Sequence, residues 1–199
     1  MIKQEQGALI VVTGPSGAGK GTVLSRALPS LKQIHLSVSA TTRAPRNGEE
    51  DGKNYYFLTR EAFEQMIAED RLLEYASYVG NYYGTPSEPV DRALREGYDV
   101  ILEIEVQGAL QIKAKRPDAV LIFIIPPRFE LLRERLHGRG SESEEVIEKR
   151  VSMARAEYES AEKYDYIVVN DQLETACDEL HSIITALRCK LARRTNYLR

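Results

Sequence analysis

"ALIVVTGPSGAGKGTVLSRALPSL", Ala8 to Leu31, decides the class of fold. Ala8 to Thr13 is a continuous apolar run of strand length, glycines follow it, and "GTVLSRALPSL" reads as a short helix ended by Pro29. Three more runs are rich in β-branched residues: "DVILEIEV" (99 to 106), "AVLIFIIP" (119 to 126) and "YDYIVV" (164 to 169). Helical patterns separate them. Apolar strands joined by helices predict an α/β protein, a three-layer fold with a central parallel sheet flanked by helices.

The helical patterns carry their own punctuation. "SEPVDRALREG" has Ser87 as a plausible N-cap, a proline in its first turn and Gly97 just past its end. "SESEEVIEKRVSMARAEYESAEKY" has capping-box spacing from Ser141 to Glu144, and a last helix is expected near residues 173 to 194.

The glycine-rich turn fits a P-loop in both sequence and context. Gly14, Pro15, Ser16, Gly17, Ala18, Gly19 and Lys20 lie between a strand and a helix, where backbone N–H groups can surround phosphate oxygens and Lys20 can add a point charge. The residue after the lysine is Gly21 rather than Ser or Thr, which leaves Thr22 as a phosphate contact. The bland alternative is a strand-to-helix turn with no ligand. Further on, "ILEIE" is expected to put Glu103 and Glu105 on one side of a strand, because side chains alternate with period two. Two acids on a buried strand need cations or ligand groups, unless they are solvated at the strand end.

The 199 residues suit one domain, and 43% hydrophobic composition is enough for a core. Lys plus Arg number 27 against 30 Asp plus Glu, a net charge of -3, so no global basic field favours nucleic acid or a membrane as partner. Cys177 and Cys189 are twelve apart in what reads as one helix, too far for a disulfide, as in a reduced cytoplasmic protein. No run has the length of a membrane span or signal peptide, and His35, His137 and His181 lack neighbours at metal-ligand spacing.

Two segments depart from the alternation. Residues 37–85 hold short strand-like pieces around "REAFEQMIAED", and residues 127–150 are arginine-rich around "HGRGSES". The expected division is a core of residues 1–36, 86–126 and 151–199, an insert at 37–85 and a helical lid at 127–150.

"TTRAPRNGEEDGKNYYFL", Thr41 to Leu58, resembles the nucleotide-acceptor segment of guanylate kinases almost position for position. The resemblance continues through "EYASYVGNYYGTP", "ILEIEVQGA", "IFIIPP", "RLHGRGSES" and "IVVND". It implies transfer of the γ-phosphoryl group of ATP to GMP, with Mg2+ arriving on the ATP. It also implies that Arg43, Arg46, Tyr55 and Tyr83 bind the GMP phosphate. Ser39, Glu74, Thr85 and Glu103 or Glu105 would surround the guanine, with Glu105 standing where many relatives have Asp. Arg135, Arg139 and Arg150 would close on the ATP phosphates, and Asn170 would touch adenine, whereas a turn-forming Asn-Asp is the plainer reading of that pair.

These residue types suit the chemistry. The planar fork of Arg matches phosphate oxygens, and Glu74 can accept from N1–H and N2–H of guanine where adenine offers no donor. Taken without the resemblance, Arg43 and Arg46 read as surface partners of Glu49, Glu50 and Asp51, and Arg133 reads as an ion-pair partner among Glu130, Glu134 and Glu148. No general base is expected, since a phosphate monoester is already largely dianionic at pH 7. The rival readings are a kinase for another phosphorylated acceptor such as a ribose bisphosphate, a phosphopeptide-binding scaffold module, and a GTPase switch. Glu74 and Thr85 argue against the first, Lys20 against the second, and the lack of an "NKxD" motif against the third.

Overall fold

The computed structural model describes residues 6–78, 80–138 and 143–198. In chain order the elements are β1 (Leu9–Thr13), α1 (Lys20–Ala27), β2 (Ile34–Leu36), β3 (Ala40–Thr41), β4 (Tyr56–Phe57), α2 (Arg60–Ala68), β5 (Leu72–Tyr78) and β6 (Asn81–Pro86). They continue with α3 (Ser87–Arg95), β7 (Asp99–Glu103), α4 (Val106–Lys115), β8 (Val120–Ile125), α5 (Glu130–His137), α6 (Glu144–Glu159), β9 (Tyr166–Val169) and α7 (Leu173–Arg188).

The central sheet has the order β2-β7-β1-β8-β9, and every pair in it is parallel. β1 is buried along its whole length, and strand alternation sends its side chains into two cores. Ile10 and Val12 pack with Val23, Leu24, Leu180 and Ile184 of α1 and α7. Leu9 and Val11 pack with Val90, Leu94, Ala109 and Ile112 of α3 and α4. The result is the expected three layers.

A buried carboxylate ties the two ends of the chain to this sheet. Asp99 accepts from Ala8 N at 2.7 Å and from Arg188 Nε at 2.6 Å, with Arg193 Nη1 3.6 Å away. A charge 1% exposed is tolerable only with such partners.

A second, mixed sheet has the order β4-β3-β6-β5, with β3 and β4 parallel and the other pairs antiparallel. Phe63 of α2 packs under it with Ala40 and Leu72. Thr59 caps α2 by accepting from Ala62 N. The outer edge of β5 is engaged by α4: the Gln111 amide donates to Tyr75 O and accepts from Tyr75 N, and Lys115 donates to Leu72 O.

Several expected boundaries shift. β7 ends at Glu103, so Glu105 is not a strand residue but the N-cap of α4. Its backbone is still extended, but the register with β1 ends at Val12 and Glu103, and a last bond from Ile104 N to Val12 O at 3.4 Å closes the ladder before Glu105. Pro86, not Ser87, is the N-cap of α3; the Ser87 hydroxyl donates instead to Arg71 O. The N-cap of α6 is Ser143, and Ser141 lies outside the described residues. α7 stops at Arg188, so Cys189 is its C-cap; both cysteines are free. The division expected at residue 150 falls inside α6.

Candidate active site

The loop from Gly14 to Gly19 joins the carboxyl end of β1 to α1, where open α/β sheets hold ligands. Gly19 is the N-cap of α1 at φ 88°, and a Cβ there would meet the Asn170 amide nitrogen at 2.3 Å. No side chain caps this helix start and no acidic residue lies in its first turn, so its N–H groups and positive dipole end are open to an anion. Lys20 Nζ donates to Gly14 O at 2.5 Å and Pro15 O at 3.3 Å, which holds the ammonium across the loop. Pro15, Gly17 and Ala18 are buried, Ser16 is half-buried, and Gly21 and Thr22 are exposed.

The far side of the loop is braced from two elements. Asn170, just past β9, donates its amide to Ala18 O at 2.8 Å. Arg135 of α5 donates to the same carbonyl at 3.3 Å and to Asn170 O at 3.0 Å. Leu132, Ala154, Phe129 and Tyr158 of the α5–α6 region pack on Ala18. The structure thus brings Arg135 and Asn170 to the loop. Arg150 is half-buried on α6, and Arg139 lies outside the described residues. Arg133 ion-pairs with Glu148, one of the glutamates expected, and also with Glu144, both on α6.

Glu103, at the tip of β7, faces the same loop: its Oε1 lies 3.8 Å from where a Cβ on Gly21 would stand. Solvent reaches Glu103, yet surrounding protein desolvates its carboxyl and raises its pKa, with Glu105 adding repulsion and Lys20 opposing. The two acids therefore share one neighbourhood although they do not share a strand.

The mixed sheet forms the second part of the site. Glu74 of β5 and Thr85 of β6 are register partners, both buried, and the Thr85 hydroxyl donates to Glu74 Oε1 at 2.7 Å. Burial raises the pKa of Glu74, while Thr85 bonds pull the other way. Gly108 in the first turn of α4 makes room: a Cβ there would lie 2.6 Å from Glu74 Oε2.

Arg43, Tyr55 and Tyr83 come together at the mouth of this sheet. The Arg43 guanidinium lies 5.5 Å from the Tyr55 ring centre, and Tyr55 meets Tyr83 edge-on at 6.2 Å. Burial, then Tyr83, raises the pKa of Tyr55; Glu103 also contributes, so the two halves of the site are within electrostatic reach. Arg43 is also paired bidentately with Glu49, at 2.9 and 3.0 Å. This is the surface-partner reading of Arg43, and the same guanidinium lies beside the Tyr55 ring. Arg46 is exposed and joins through its backbone N–H, which donates to Glu49 Oε2 at 2.7 Å. Ser39 is half-buried beside β3, and its carbonyl accepts from Tyr56 N.

Two residues with a place in the site were not singled out from the sequence, Gly108 and Glu157. Glu157 of α6 has a buried Oε2 without a hydrogen-bond partner among the described residues. Burial, with Glu105 adding and Lys20 opposing, raises its carboxyl to about 7. The available signal was an acid beside the apolar stripe Ile147, Ala154 and Tyr158.

A family model described as Guanylate kinase matches residues 6–187. The guanylate kinase of Desulfitobacterium hafniense is 53% identical over 97% of this chain and 96% of its own length. That of Halalkalibacterium halodurans is 53% identical over 96% of this chain and 94% of its own. Among solved structures, the crystal structure of guanylate kinase from Anaplasma phagocytophilum superposes with a TM-score of 0.77 at 34% identity, covering 97% of this chain and 92% of that one.

Proposed function

The chain belongs to the guanylate kinase family and transfers the γ-phosphoryl group of ATP to GMP, and on that premise we propose how its residues divide the work. The observation that carries the assignment is a buried Glu74–Thr85 pair and an Arg43–Tyr55–Tyr83 cluster at one mixed sheet, with Glu103 within electrostatic reach of both Tyr55 and Lys20 of the glycine loop.

The difficulty in this reaction is electrostatic. Two polyanions must meet, and charge spreads over the transferring group in the transition state. On the donor side, the P-loop amides, the start of α1, Lys20 and Thr22 hold the ATP phosphates, and Arg135, Arg139 and Arg150 of a lid at 127–150 neutralise the developing charge. The Arg135 bonds to Ala18 O and Asn170 O support this reading, because they fix a lid arginine against the loop. Asn170 would reach adenine with the part of its amide not used on Ala18.

On the acceptor side, Arg43, Arg46, Tyr55 and Tyr83 hold the phosphate of GMP, and Ser39, Glu74, Thr85 and Glu103 or Glu105 frame the base. Ionised Glu74 is costly where it lies, and two guanine N–H donors relieve that cost. Adenine, with no donor at either place, leaves the carboxylate short by about 1–3 kcal/mol. This is the selection of GMP over AMP; dGMP, alike in base and phosphate, would meet the same groups.

Mg2+ is the expected companion of ATP and supplies Lewis-acid neutralisation of the phosphates. No group of three or more His, Cys, Asp or Glu stands at metal-binding distance among the described residues, and Gly21 brings no side-chain oxygen next to Lys20. The ion would therefore keep mostly phosphate and water ligands. Among the described residues no helix is long and apolar enough to cross a membrane, and a cytoplasmic site, where ATP and GMP are both present, is the setting we propose.

Transfer of label from γ-32P-ATP tests the division of roles. Label should enter GDP with wild type, fall at least a hundredfold with Lys20→Ala, and fall with Arg135→Ala without loss of GMP binding. Undiminished transfer by Lys20→Ala would overturn the loop assignment.

A further inference from the structure

Glu49 stands where a negative charge is unexpected, beside a cation that the reading above assigns to the acceptor phosphate. Its carboxylate makes three bonds: Oε1 accepts from Arg43 Nη2 at 2.9 Å, and Oε2 accepts from Arg43 Nη1 at 3.0 Å and from Arg46 N at 2.7 Å. The backbone closes the same turn in the opposite sense, with Glu49 N donating to Arg46 O at 3.0 Å. One side chain therefore fixes both the Arg43 guanidinium and the start of the 46–49 turn.

The guanidinium has five N–H donors. Glu49 takes one from each terminal nitrogen, and Ala44 O takes the second of Nη1 at 2.7 Å. The remaining N–H of Nη2 and that of Nε lie along the other long edge of the fork, parallel to each other, and the Tyr83 hydroxyl also hydrogen-bonds the guanidinium. That edge is the one that fits two oxygens of a phosphate. The rings of Tyr55 and Phe57 lie 5.5 and 5.9 Å from the guanidinium carbon, within cation–π range. Arg43 bonding holds the Glu49 carboxyl below the usual carboxylate range, with the Arg46 amide next in effect, so it stays ionised at neutral pH.

Resting on the assignment of Arg43 to the GMP phosphate, we propose that Glu49 is a positioning residue: it grips one edge of the Arg43 fork and the Arg46 amide so that the Nε–Nη2 edge meets the phosphate already oriented. A loose arginine would contribute more net charge but would lose much rotamer freedom on binding. Glu49 gives up some attraction for orientation. An arginine that is already ordered loses less freedom when the phosphate arrives.

The test is Glu49→Gln, with Glu49→Ala as a second variant, Arg43→Ala as reference, and thermal unfolding as a check on folding. Gln keeps the shape but turns an NH2 toward the guanidinium, so one of the two bonds is lost. The expected result is a KM for GMP raised about tenfold with little change in KM for ATP and a smaller fall in kcat. By calorimetry, GMP binding should weaken by a like factor while guanosine binding holds, since guanosine lacks the phosphate. Arg43→Ala combined with Glu49→Gln should cost no more than Arg43→Ala alone. An unchanged or lowered KM for GMP in both Glu49 variants, or equal weakening of GMP and guanosine, overturns the proposal. If Arg43→Ala itself leaves KM for GMP unchanged, the Arg43 assignment fails, and the proposal with it.

Discussion

Glu157→Gln should stabilise the protein at alkaline pH and leave it nearly unchanged at acid pH. The carboxyl lies on α6 with Oε2 buried and without a hydrogen-bond partner among the described residues, and burial raises it to about 7. An unfolded glutamate titrates near 4.3, so between those values the native state binds the extra proton, and stability falls as pH rises through the window. The cost of the charge is absent below roughly pH 4.3 and complete above about pH 7. A full conversion would give an upper limit of roughly 3.5 kcal/mol, but the side chain is only half-buried and screening reduces this to about 1–2 kcal/mol. Gln is neutral at every pH. For a chain of this length each kcal/mol moves Tm by about 2–4 °C. Thermal unfolding of both proteins at pH 4, 5, 6, 7 and 8 should show Tm values that nearly coincide at pH 4 and separate by about 2–8 °C at pH 8, with the variant higher. A difference independent of pH, or a variant less stable at pH 8, would refute the reasoning.

Gly108→Ala should raise KM for GMP at least tenfold without lowering Tm, because the new Cβ would press on Glu74 Oε2 while Ala favours the helix by about 1 kcal/mol; an unchanged KM would separate Glu74 from base recognition. KM for GMP should rise as pH falls, beginning above the ordinary carboxylate range, because burial raises the pKa of Glu74 and its protonated form loses an acceptor for guanine. A Glu74→Gln enzyme should lack that rise, and the same slope in both enzymes would assign it elsewhere. Asp99→Ala should cost about 3 kcal/mol, read as a Tm lower by roughly 6–12 °C, since Arg188 and Ala8 N lose their common acceptor.

The parts of the fold that were legible in the sequence are those where one physical cause dominates. β1 is apolar on both faces because both face a core, and the glycine loop has its composition because its backbone needs positive φ, as Gly19 shows. Boundaries were less legible where extended backbone outlasts strand pairing. Glu105 keeps extended dihedrals after β7 has lost its neighbour, so alternation suggested a strand residue that hydrogen bonding does not support. β2 is three residues, "IHL", too short for a period, and is recruited by pairing with β7. The roles of Asp99 and Glu157 depend on partners far away in the chain. The Asp99–Arg188 pair spans 89 residues, and no local pattern announces it. For the acceptor site, Arg43 and Glu49 looked like neighbours in a charge run, and only the folded turn shows that one carboxylate serves both Arg43 and the Arg46 amide.

The division of labour rests most heavily on Glu74 as the reader of guanine. The direct measurement is steady-state ADP release from Mg-ATP with GMP, AMP, CMP, UMP and ribose 1,5-bisphosphate as separate acceptors, for wild type and Glu74→Gln. The account predicts rapid turnover with GMP alone, and a fall in kcat/KM for GMP of about tenfold or more in the variant, with KM for ATP little changed. Comparable turnover of GMP by wild type and Glu74→Gln, or turnover of the sugar phosphate in place of GMP, would contradict it.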